Sequence, residues 1–265
     1  VGPTVRSKGV DLLNHPWGEA SMKLNQLVLR VAAVAVVGMS LPTSAQAQLW
    51  YNGDINGVNA LSSERNTVVS QSMAYDNFVV TGASWTINSV FGNFLANFAW
   101  STADYEIRTG VSVGNGGTVV ASGSGFAASQ VATGNTAFGF TEYTATISGL
   151  SIFLNPGTYW LGISPVGTGN NNTDRAFVGT TSGTNGNNAN IDGLSFFNST
   201  FFGANFVNSD TQTGAPSDFA YGVDGAGSGL STGGDDVVPE PATMTLLATG
   251  LAGMAAARRR KAAKA

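Results

Sequence analysis

Apolar and polar side chains alternate in short runs along the middle of the chain. In residues 105–109, Tyr105 and Ile107 would share one face of a strand, while Glu106 and Arg108 would share the other. Because successive side chains on a strand point to opposite faces, this period of two predicts a half-buried β-strand. The same reasoning predicts strands at residues 75–80, 83–90, 94–100, 118–122, 141–150, 158–164, 177–180 and 219–223.

Turn-forming residues separate these predicted strands. Gly92-Asn93, Gly114–Gly117 and Asn155–Gly157 combine glycine, asparagine and proline, which favour turns. Strands at intervals of about ten residues, with turns between them and no strong helical period, favour a β-sandwich. The predicted fold is therefore all-β, a single antiparallel sandwich over residues 48–224 that is followed by a Gly/Ser-rich linker over 225–236.

The N-terminal part of the chain predicts a secretion signal. A basic segment that begins at Met22 leads into the apolar run Val31–Met39, and small residues then follow at Ala45 and Ala47. This order predicts a signal helix over residues 22–47, which signal peptidase would cut after Ala47. An uncleaved membrane anchor is the alternative, and the short apolar run and the cleavage pattern disfavour it.

Residues 1–21 precede the predicted initiator methionine. Trp17-Gly18-Glu19 requires a purine-rich run of codons that is typical of a ribosome-binding site. We therefore interpret residues 1–21 as an upstream extension that is translated from a misplaced start, and we expect the mature chain to begin at Gln48.

The C-terminal part predicts a membrane helix. Residues 242–257 are uncharged and rich in alanine, leucine and methionine, close to the lower limit of about 17 apolar residues for a membrane span. An amphipathic or buried helix is the alternative, but apolar residues surround the whole helix. A basic tail follows directly and predicts a cytoplasmic C-terminus. This tail consists of Arg258, Arg259, Arg260 and Lys261.

Pro239, Glu240 and Pro241 stand immediately before this apolar run. A Pro-Glu-Pro motif, a membrane helix and a basic tail in that order resemble the PEP-CTERM sorting signal, here over residues 237–265. The resemblance implies a Gram-negative precursor that is exported, held in the inner membrane by its C-terminal helix and processed by an exosortase-type protease. It implies a final position at the cell surface or in the extracellular matrix.

Two segments of the middle region resemble secreted jelly-roll domains. One is Leu154–Ile163, which reads Leu-Asn-Pro-Gly-Thr-Tyr-Trp-Leu-Gly-Ile, and the other is Tyr75–Phe78 followed by Trp85–Ile87. The resemblance covers residues 50–165 and implies a jelly-roll-like sandwich of the carbohydrate-binding type.

Composition and charge exclude several kinds of partner and chemistry. Residues 48–236 carry thirteen acidic residues and three arginines, a net charge of −10, against −4 for the whole chain. A surface this acidic repels nucleic acid. The same range contains no lysine, the chain contains no cysteine, and its single histidine is His15. A Ser-His-Asp triad, a cysteine nucleophile, disulfides and His/Cys zinc sites are therefore excluded, which leaves mainly carboxylate chemistry.

Asp104 and Glu106 are the carboxylate pair that the strand pattern brings onto one face, about 7 Å apart. Such a pair can act as acid and base in glycoside hydrolysis. Arg108 is predicted on the same face, however, and an ion pair with Glu106 on a solvated strand surface is the simpler interpretation.

Aromatic residues offer a second candidate site. Trp50, Trp85, Trp100 and Trp160 are candidates for a sugar-stacking platform, although packing in the core is the commoner role of such side chains. A later phenylalanine cluster is interpreted as a loop folded over the sandwich, or as a contact surface if it is exposed. This cluster contains Phe196, Phe197, Phe201, Phe202 and Phe206.

Asp54, Asn56 and Asp174 lie in segments rich in asparagine and aspartate, whose oxygen atoms are of the kind that calcium prefers. Neither segment has the full EF-hand pattern, so polar turns are the alternative interpretation. No other cofactor is predicted.

These patterns together predict a non-enzymatic protein of the cell surface or extracellular matrix. Its expected partners are signal peptidase and an exosortase-like protease during export, the membrane before processing, and polysaccharide. A carbohydrate-binding module that contacts exopolysaccharide is the first alternative, and a carboxylate-dependent glycosidase or lyase is the second.

Overall fold

The computed structural model describes residues 47–228, and these form an all-β domain, as predicted. One short helix, α1, spans Asp210–Thr213. The strands are β1 Ala47–Tyr51, β2 Ile55–Ser62, β3 Met73–Val80, β4 Ser84–Ala96, β5 Thr102–Thr109, β6 Thr118–Ala137, β7 Phe140–Leu154, β8 Gly157–Pro165, β9 Ala176–Thr181, β10 Phe196–Ser199, β11 Ala204–Asn208, β12 Asp218–Phe219 and β13 Tyr221–Ser228.

The strands form two layers that share one strand. In the first layer the order is β1-β13-β4-β7-β6, and β9 joins β4 and carries β2 and β12. In the second layer the order is β6-β5-β8-β3-β10-β11. Strand β6 belongs to both, because Thr118–Ala127 pairs with β5 and Ala128–Ala137 pairs with β7. The antiparallel β-sandwich is thereby confirmed, and its jelly-roll connectivity stays a prediction.

The apolar faces of both layers meet in one core. Trp50 of β1 stacks on Phe78 of β3 with ring centroids 5.1 Å apart, and Phe78 stacks on Trp85 of β4 at 6.2 Å. Burying one such side chain stabilises the fold by roughly 1.5–3 kcal/mol. Tyr105 and Ile107 of β5 also face this core, so the alternation predicted for that strand is confirmed.

Strand β4 differs from the prediction at Gly92-Asn93. The strand runs through these residues without a break to Ala96, so the predicted turn is wrong. Gly92 lies opposite Tyr221 of β13, and a Cβ atom on Gly92 would lie 2.5 Å from Cδ1 of that ring. Glycine is required at position 92 because a buried ring packs against the backbone there, and not because the chain turns.

The end of the domain also differs from the prediction. Strand β13 continues to Ser228, and residues 225–228 pair with residues 84–87 of β4. The folded domain thus extends four residues into the segment that was predicted as a linker. Strand pairing uses backbone groups, so a Gly/Ser-rich composition does not prevent it.

A smaller apolar cluster lies on the other face of the second layer. Its buried members are Met73, Tyr75, Val111, Phe196 and Phe206. The β10–β11 hairpin pairs with β3 and places Phe196 and Phe206 in this cluster, while Phe197 packs in the main core. Phe201 and Phe202 lie at the hairpin turn and are 43% and 45% exposed. The predicted loop is therefore a strand hairpin that buries three of the five phenylalanines.

Several predicted features lie outside residues 47–228. They are the upstream extension 1–21, residues 22–46 of the signal helix with Ala45, the sorting motif, the membrane helix and the basic tail. Ala47, the last residue of the predicted signal helix, is the first residue of β1. Within the described range, no helix is long and apolar enough to cross a membrane.

Candidate functional site

A polar cleft of about 240 Å³ beside β5 brings the two predicted carboxylates together. Strand alternation turns Tyr105 toward the core and Asp104 and Glu106 toward the other face of the strand. Further polar groups come from Ser122 and Ser124 of β6 and from Arg65 and Gln71 in the segment between β2 and β3. The cleft is thus built where three separate parts of the chain meet.

Asp104 is held by four donors. Arg65 approaches it with two nitrogens, Nε at 2.6 Å and Nη2 at 2.9 Å. The Ser124 hydroxyl donates at 3.1 Å and the Gly125 N–H at 2.7 Å. Burial disfavours the charged form of Asp104, but the Arg65 guanidinium and the Gly125 amide outweigh it and hold the pKa below its ordinary value.

Glu106 is paired with Arg108, as predicted. Arg108 Nε lies 2.5 Å from Glu106 Oε2, and the Tyr75 hydroxyl donates to the same oxygen at 2.7 Å. The Arg108 guanidinium also lies over the Phe206 ring, 5.0 Å from its centroid. Burial of Tyr75, and then the charge of Glu106, raise the pKa of Tyr75 well above its ordinary value.

Asp104 does not have the environment of a general acid. Such an acid needs a raised pKa, whereas the pKa of Asp104 is lowered. The predicted solvated strand face is also corrected, because Asp104 is 3% exposed. The geometry is suited to holding β5, β6 and the segment around Arg65 together.

Glu64 is a third carboxylate paired with arginine, and sequence reasoning missed it. It is fully buried, and its carboxylate accepts from Arg175 Nε at 2.8 Å and from the Ala176 N–H at 2.6 Å. Burial raises the pKa of Glu64, and the Ala176 amide and Arg175 charge oppose that effect. No residue pattern near Glu64 signals this, because Arg175 lies more than a hundred residues away in sequence.

The four candidate tryptophans do not form one surface. Trp50 and Trp85 are 1% exposed, and Trp100 is 7% exposed. An indole ring inside the core cannot stack on a sugar at the surface, so burial removes these three from the expected platform. Trp160 of β8 is half-buried, and its Nε1 donates to the Leu194 carbonyl at 3.3 Å.

The oxygens of Asp54, Asn56 and Asp174 accept hydrogen bonds from protein donors. Asp54 accepts from the Tyr51 hydroxyl at 2.6 Å, and Asp174 accepts from the Gly169 N–H at 2.5 Å. Asn56 accepts from the Val58 N–H at 2.9 Å. These contacts are those of polar turns. In the described range, no three His, Asp or Glu side chains converge on a common metal position.

An aromatic pocket of about 180 Å³ lies beside the tip of the β6–β7 hairpin, and sequence reasoning missed it. Phe138, Phe140, Phe177 and Leu95 supply its apolar lining, and Asn59 supplies a polar group. Phe140 and Phe177 meet edge to face, with ring centroids 5.3 Å apart. Residues from strands β2, β4, β7 and β9 and from the hairpin turn thus form one apolar concavity.

Phe138 occupies a strained turn position in this pocket. Phe138 and Gly139 connect the paired residues Ala137 and Phe140, with φ of +53° and +82°. Two positive φ angles are typical of a type I′ turn, which favours Asn, Asp or Gly at its first position. A bulky side chain costs roughly 1–2 kcal/mol there. Phe138 is nevertheless 58% exposed, so burial of its ring does not offset this cost.

An arginine and a second cleft lie next to the aromatic pocket. The Arg175 guanidinium lies 4.6 Å from the centroid of the Phe177 ring. A second cleft, of about 330 Å³, borders the same turn through Gly139 and is lined by Phe98 and Tyr143. The hairpin tip therefore presents an exposed ring between two concavities, a shape suited to the face of a flat or ring-shaped ligand.

A group of aspartates lies where β3, β12 and the segment between β9 and β10 meet, and it was not predicted from the sequence. Asp76 is fully buried and accepts from Asn52 Nδ2 at 2.9 Å and from the Phe219 N–H. Asp218 is 4% exposed and accepts from the Gly193 N–H at 3.0 Å. Burial raises the pKa of Asp218 to about 6, although the Gly193 amide opposes it. Burial likewise raises the pKa of Asp76, and the nearby Asp218 charge adds to this.

No curated protein sequence matches the chain. A solved structure that matches is that of the cysteine protease and lectin-like domains of Cwp84, a surface layer associated protein of Clostridium difficile, at 18% identity and a TM-score of 0.37. The match covers 59% of this chain and 32% of that one, so the chain spans about a third of that protein's length. A likeness this distant carries no functional argument.

The C-terminal part, in contrast, matches a family. Residues 237–261 match the PEP-CTERM protein-sorting motif. The resemblance of Pro239, Glu240 and Pro241 and the residues that follow them to this signal is thereby confirmed. The motif implies an exported, membrane-anchored precursor that is sorted to the surface.

Proposed function

We propose that residues 48–228 form a non-catalytic component of the cell surface or extracellular matrix of a Gram-negative bacterium. The sorting motif at residues 237–261 carries this proposal, because it concerns delivery of whatever domain precedes it. The cleft beside β5 supports the non-catalytic part, since Asp104 and Glu106 are each neutralised by an arginine.

Delivery would proceed in two cleavages. Signal peptidase would cut after Ala47, the first residue of β1, so the mature chain would begin at Gln48 within that strand. The helix at residues 242–257 would hold the precursor in the inner membrane, with the basic tail on the cytoplasmic side. An exosortase-type protease would then cut near Pro239–Pro241. These residues are recognised by the protease and do no chemistry themselves.

The mass of the surface-released protein tests this route. In a host with an exosortase gene, we expect a product that begins at Gln48 and ends near Glu240. Glu240→Gln should leave the precursor in the inner membrane, because it removes the charge of the motif. Asp236→Asn, an acidic residue just outside the motif, should be processed normally. Equal release of both variants, or release of the wild type by an exosortase-deficient strain, would contradict the proposal.

Carbohydrate binding is a second candidate function, and the aromatic pocket favours it. Phe138 is 58% exposed beside Phe140 and Phe177, and an exposed ring can stack on the apolar face of a sugar. The described range contains eleven acidic residues and three arginines. A neutral polysaccharide is therefore the expected ligand, since an anionic one would be repelled.

A glycan array with neutral polysaccharides tests this second function. Phe138→Ala should weaken binding by about tenfold or more, in line with the loss of a central aromatic contact. Phe153→Ala is the matched control, because Phe153 is 62% exposed on β7 and does not line the pocket. Binding that survives Phe138→Ala, or that both variants lose equally, would argue against a sugar site at the hairpin tip.

A further inference from the structure

The cleft of about 330 Å³ that borders the β6–β7 turn lies on the face of the hairpin opposite the aromatic pocket. Thr141 and Tyr143 of β7 line this cleft, whereas Phe140 lines the pocket. Because successive side chains of a strand point to opposite faces, the hairpin separates the two concavities. We call the cleft of 330 Å³ the inner cleft and define it by Asn97, Phe98, Gln130, Gly139, Thr141 and Tyr143.

Hydrogen bonds to the backbone hold one wall of the inner cleft in place. Gln130 Nε2 donates to the Phe98 carbonyl at 2.9 Å, and Gln130 Oε1 accepts from the Trp100 N–H at 3.2 Å. Trp100 Nε1 in turn donates to the Ser129 carbonyl at 3.1 Å. The Trp100 ring meets Phe98 and Tyr143 edge to face, with centroids 5.6 and 5.7 Å apart. The inner cleft is therefore preformed, as small-molecule sites usually are.

Three polar groups of the inner cleft form no hydrogen bond with another described residue. They are Nδ2 of Asn97 and the hydroxyls of Thr141 and Tyr143. Asn97 Oδ1 accepts from the Arg175 N–H at 2.8 Å, which orients the carboxamide. An amide N–H donates, and a hydroxyl both donates and accepts. Among the described residues no charged side chain lines this cleft, so the groups it offers suit an uncharged ligand rich in hydroxyls.

We propose that the inner cleft is a second sugar subsite, so that the hairpin binds several consecutive units of a neutral polysaccharide chain. The inference rests on the carbohydrate binding proposed above. The volume of the inner cleft lies within the range of about 300–1,000 Å³ that is typical of small-molecule sites, whereas the aromatic pocket, at about 180 Å³, lies below it. One sugar unit in the inner cleft would bond to Thr141 and Tyr143 through its hydroxyls, while Phe138 would stack on a neighbouring unit.

Gly139 leaves a path between the two subsites. It is the second residue of the turn, with φ of +82°, and a Cβ atom built on it would meet no heavy atom within 4 Å outside its chain neighbours. The backbone between the Phe138 ring and the inner cleft therefore carries no side chain. A sugar chain can cross the hairpin tip at this point and contact both faces.

Titration calorimetry on the full chain in detergent tests the second subsite. The probes are glucose and mannose, and cello-, laminari- and manno-oligosaccharides of two to six units. We expect the affinity of the series that binds to rise with chain length up to about three or four units, because longer chains reach both subsites, and then to level off. A site confined to the Phe138 ring would show no such rise.

The double variant Thr141→Val/Tyr143→Phe removes both hydroxyls and keeps the shape of the cleft. Neither hydroxyl bonds to another described residue, so the fold should be unaffected, which circular dichroism and the Tm establish. Affinity for the longest oligosaccharide should fall by about tenfold or more through loss of two hydrogen bonds. Thr146→Val is the matched control, because Thr146 lies on the same strand and does not line the cleft.

The outcomes separate this inference from the function on which it rests. Affinity that does not rise with chain length, or equal affinity of the double variant and Thr146→Val, would overturn the second subsite. Loss of binding in Phe138→Ala on the glycan array would still support a sugar site at the hairpin tip. A wild-type protein that binds none of the neutral glycans, on the array or in solution, would contradict both proposals.

Discussion

Each arginine in residues 47–228 neutralises one carboxylate that is largely shielded from solvent. Arg65, Arg108 and Arg175 contact Asp104, Glu106 and Glu64 through Nε at 2.5–2.8 Å. A guanidinium presents several donors in a planar fork, so it can bind a carboxylate and brace the backbone at once. Arg65 and Arg175 therefore connect segments that are distant in sequence, whereas Arg108 pairs within β5.

Arg65→Met should destabilise the domain at neutral pH. The Asp104 side chain is 5% exposed and would keep its charge without its guanidinium partner. Because Arg65 is itself 33% exposed, we expect the free energy of unfolding to fall by about 2 kcal/mol, below the cost for a fully buried pair. Urea denaturation measures this change.

The same variant has a predicted pH dependence. The lowered pKa of Asp104 stabilises the fold above its unfolded pKa of about 3.9, and this contribution is lost as the pH falls through the folded value. The difference between wild type and Arg65→Met should therefore shrink below about pH 4. In an Asp104→Asn background, Arg65→Met should cost little at any pH. A difference that stays constant down to about pH 2 would be inconsistent with this assignment.

Phe138→Asn should stabilise the domain while it removes the exposed ring. Asparagine adopts positive φ at the first position of a type I′ turn more readily than phenylalanine does. We expect the free energy of unfolding to rise by about 1 kcal/mol. Phe153→Asn serves as the control and should give no gain, since Phe153 is in strand β7. A loss of stability in Phe138→Asn would show that the ring itself supports the fold.

Strands β4 and β6 show how pairing partners determine where a strand forms in this domain. Glycine in β4 accommodates a neighbouring ring, and β6 extends over 20 residues although its apolar and polar positions do not alternate clearly. Most side chains of β6 are exposed, and each half of the strand pairs with only one described strand. Both strands are determined by their partners, and local sequence preference contributes little.

Gly92→Ala should therefore destabilise the β4–β13 pairing. The added Cβ would lie 2.5 Å from Cδ1 of Tyr221, a ring that is fully buried and cannot move aside. We expect the free energy of unfolding to fall by about 1–3 kcal/mol, the usual cost of overpacking. Ser151→Ala, at an exposed position of β7, should change it little. Equal stability of the two variants would mean that β13 shifts without cost.

Charge and targeting act at the scale of the whole molecule. The basic residues of the chain are concentrated outside residues 47–228, so the whole-chain charge of −4 conceals a far more acidic domain. Removal of the terminal segments during export would expose that acidity. The mature protein would then repel anionic surfaces and polymers, and the partners open to it are neutral molecules and cations.

The mature protein should accordingly fail to bind nucleic acid. Without lysine, and with its arginines committed to ion pairs, the domain offers no counterion release from phosphates. We expect it to pass through a heparin column and to leave the mobility of duplex DNA unchanged at low ionic strength. The full precursor, with its basic tail, is the comparison. Retention of the mature protein on heparin would contradict this prediction.

The sequence predicted most strands and part of the site chemistry. Alternation located β5 and β7 correctly, and the Glu106–Arg108 pair follows from their spacing on one strand. The hairpin β10–β11 and the ion pair Glu64–Arg175 were not predicted from the sequence. In each missed case the decisive partner is remote in sequence, or the strand face is apolar on both sides, so no local period reveals it.

The sequence by itself determined the sorting signal, the all-β class and the absence of histidine and cysteine chemistry in the domain. Those properties depend only on residue type and on the order of residues over short stretches, so they can be inferred without knowledge of tertiary contacts. Only the tertiary structure decided that three tryptophans are buried, that Asp104 is held by Arg65, and that Asp76 and Asp218 are buried. Burial and pairing depend on contacts across the two sheets, and it is desolvation at those contacts that sets the charge state and the chemistry of each group.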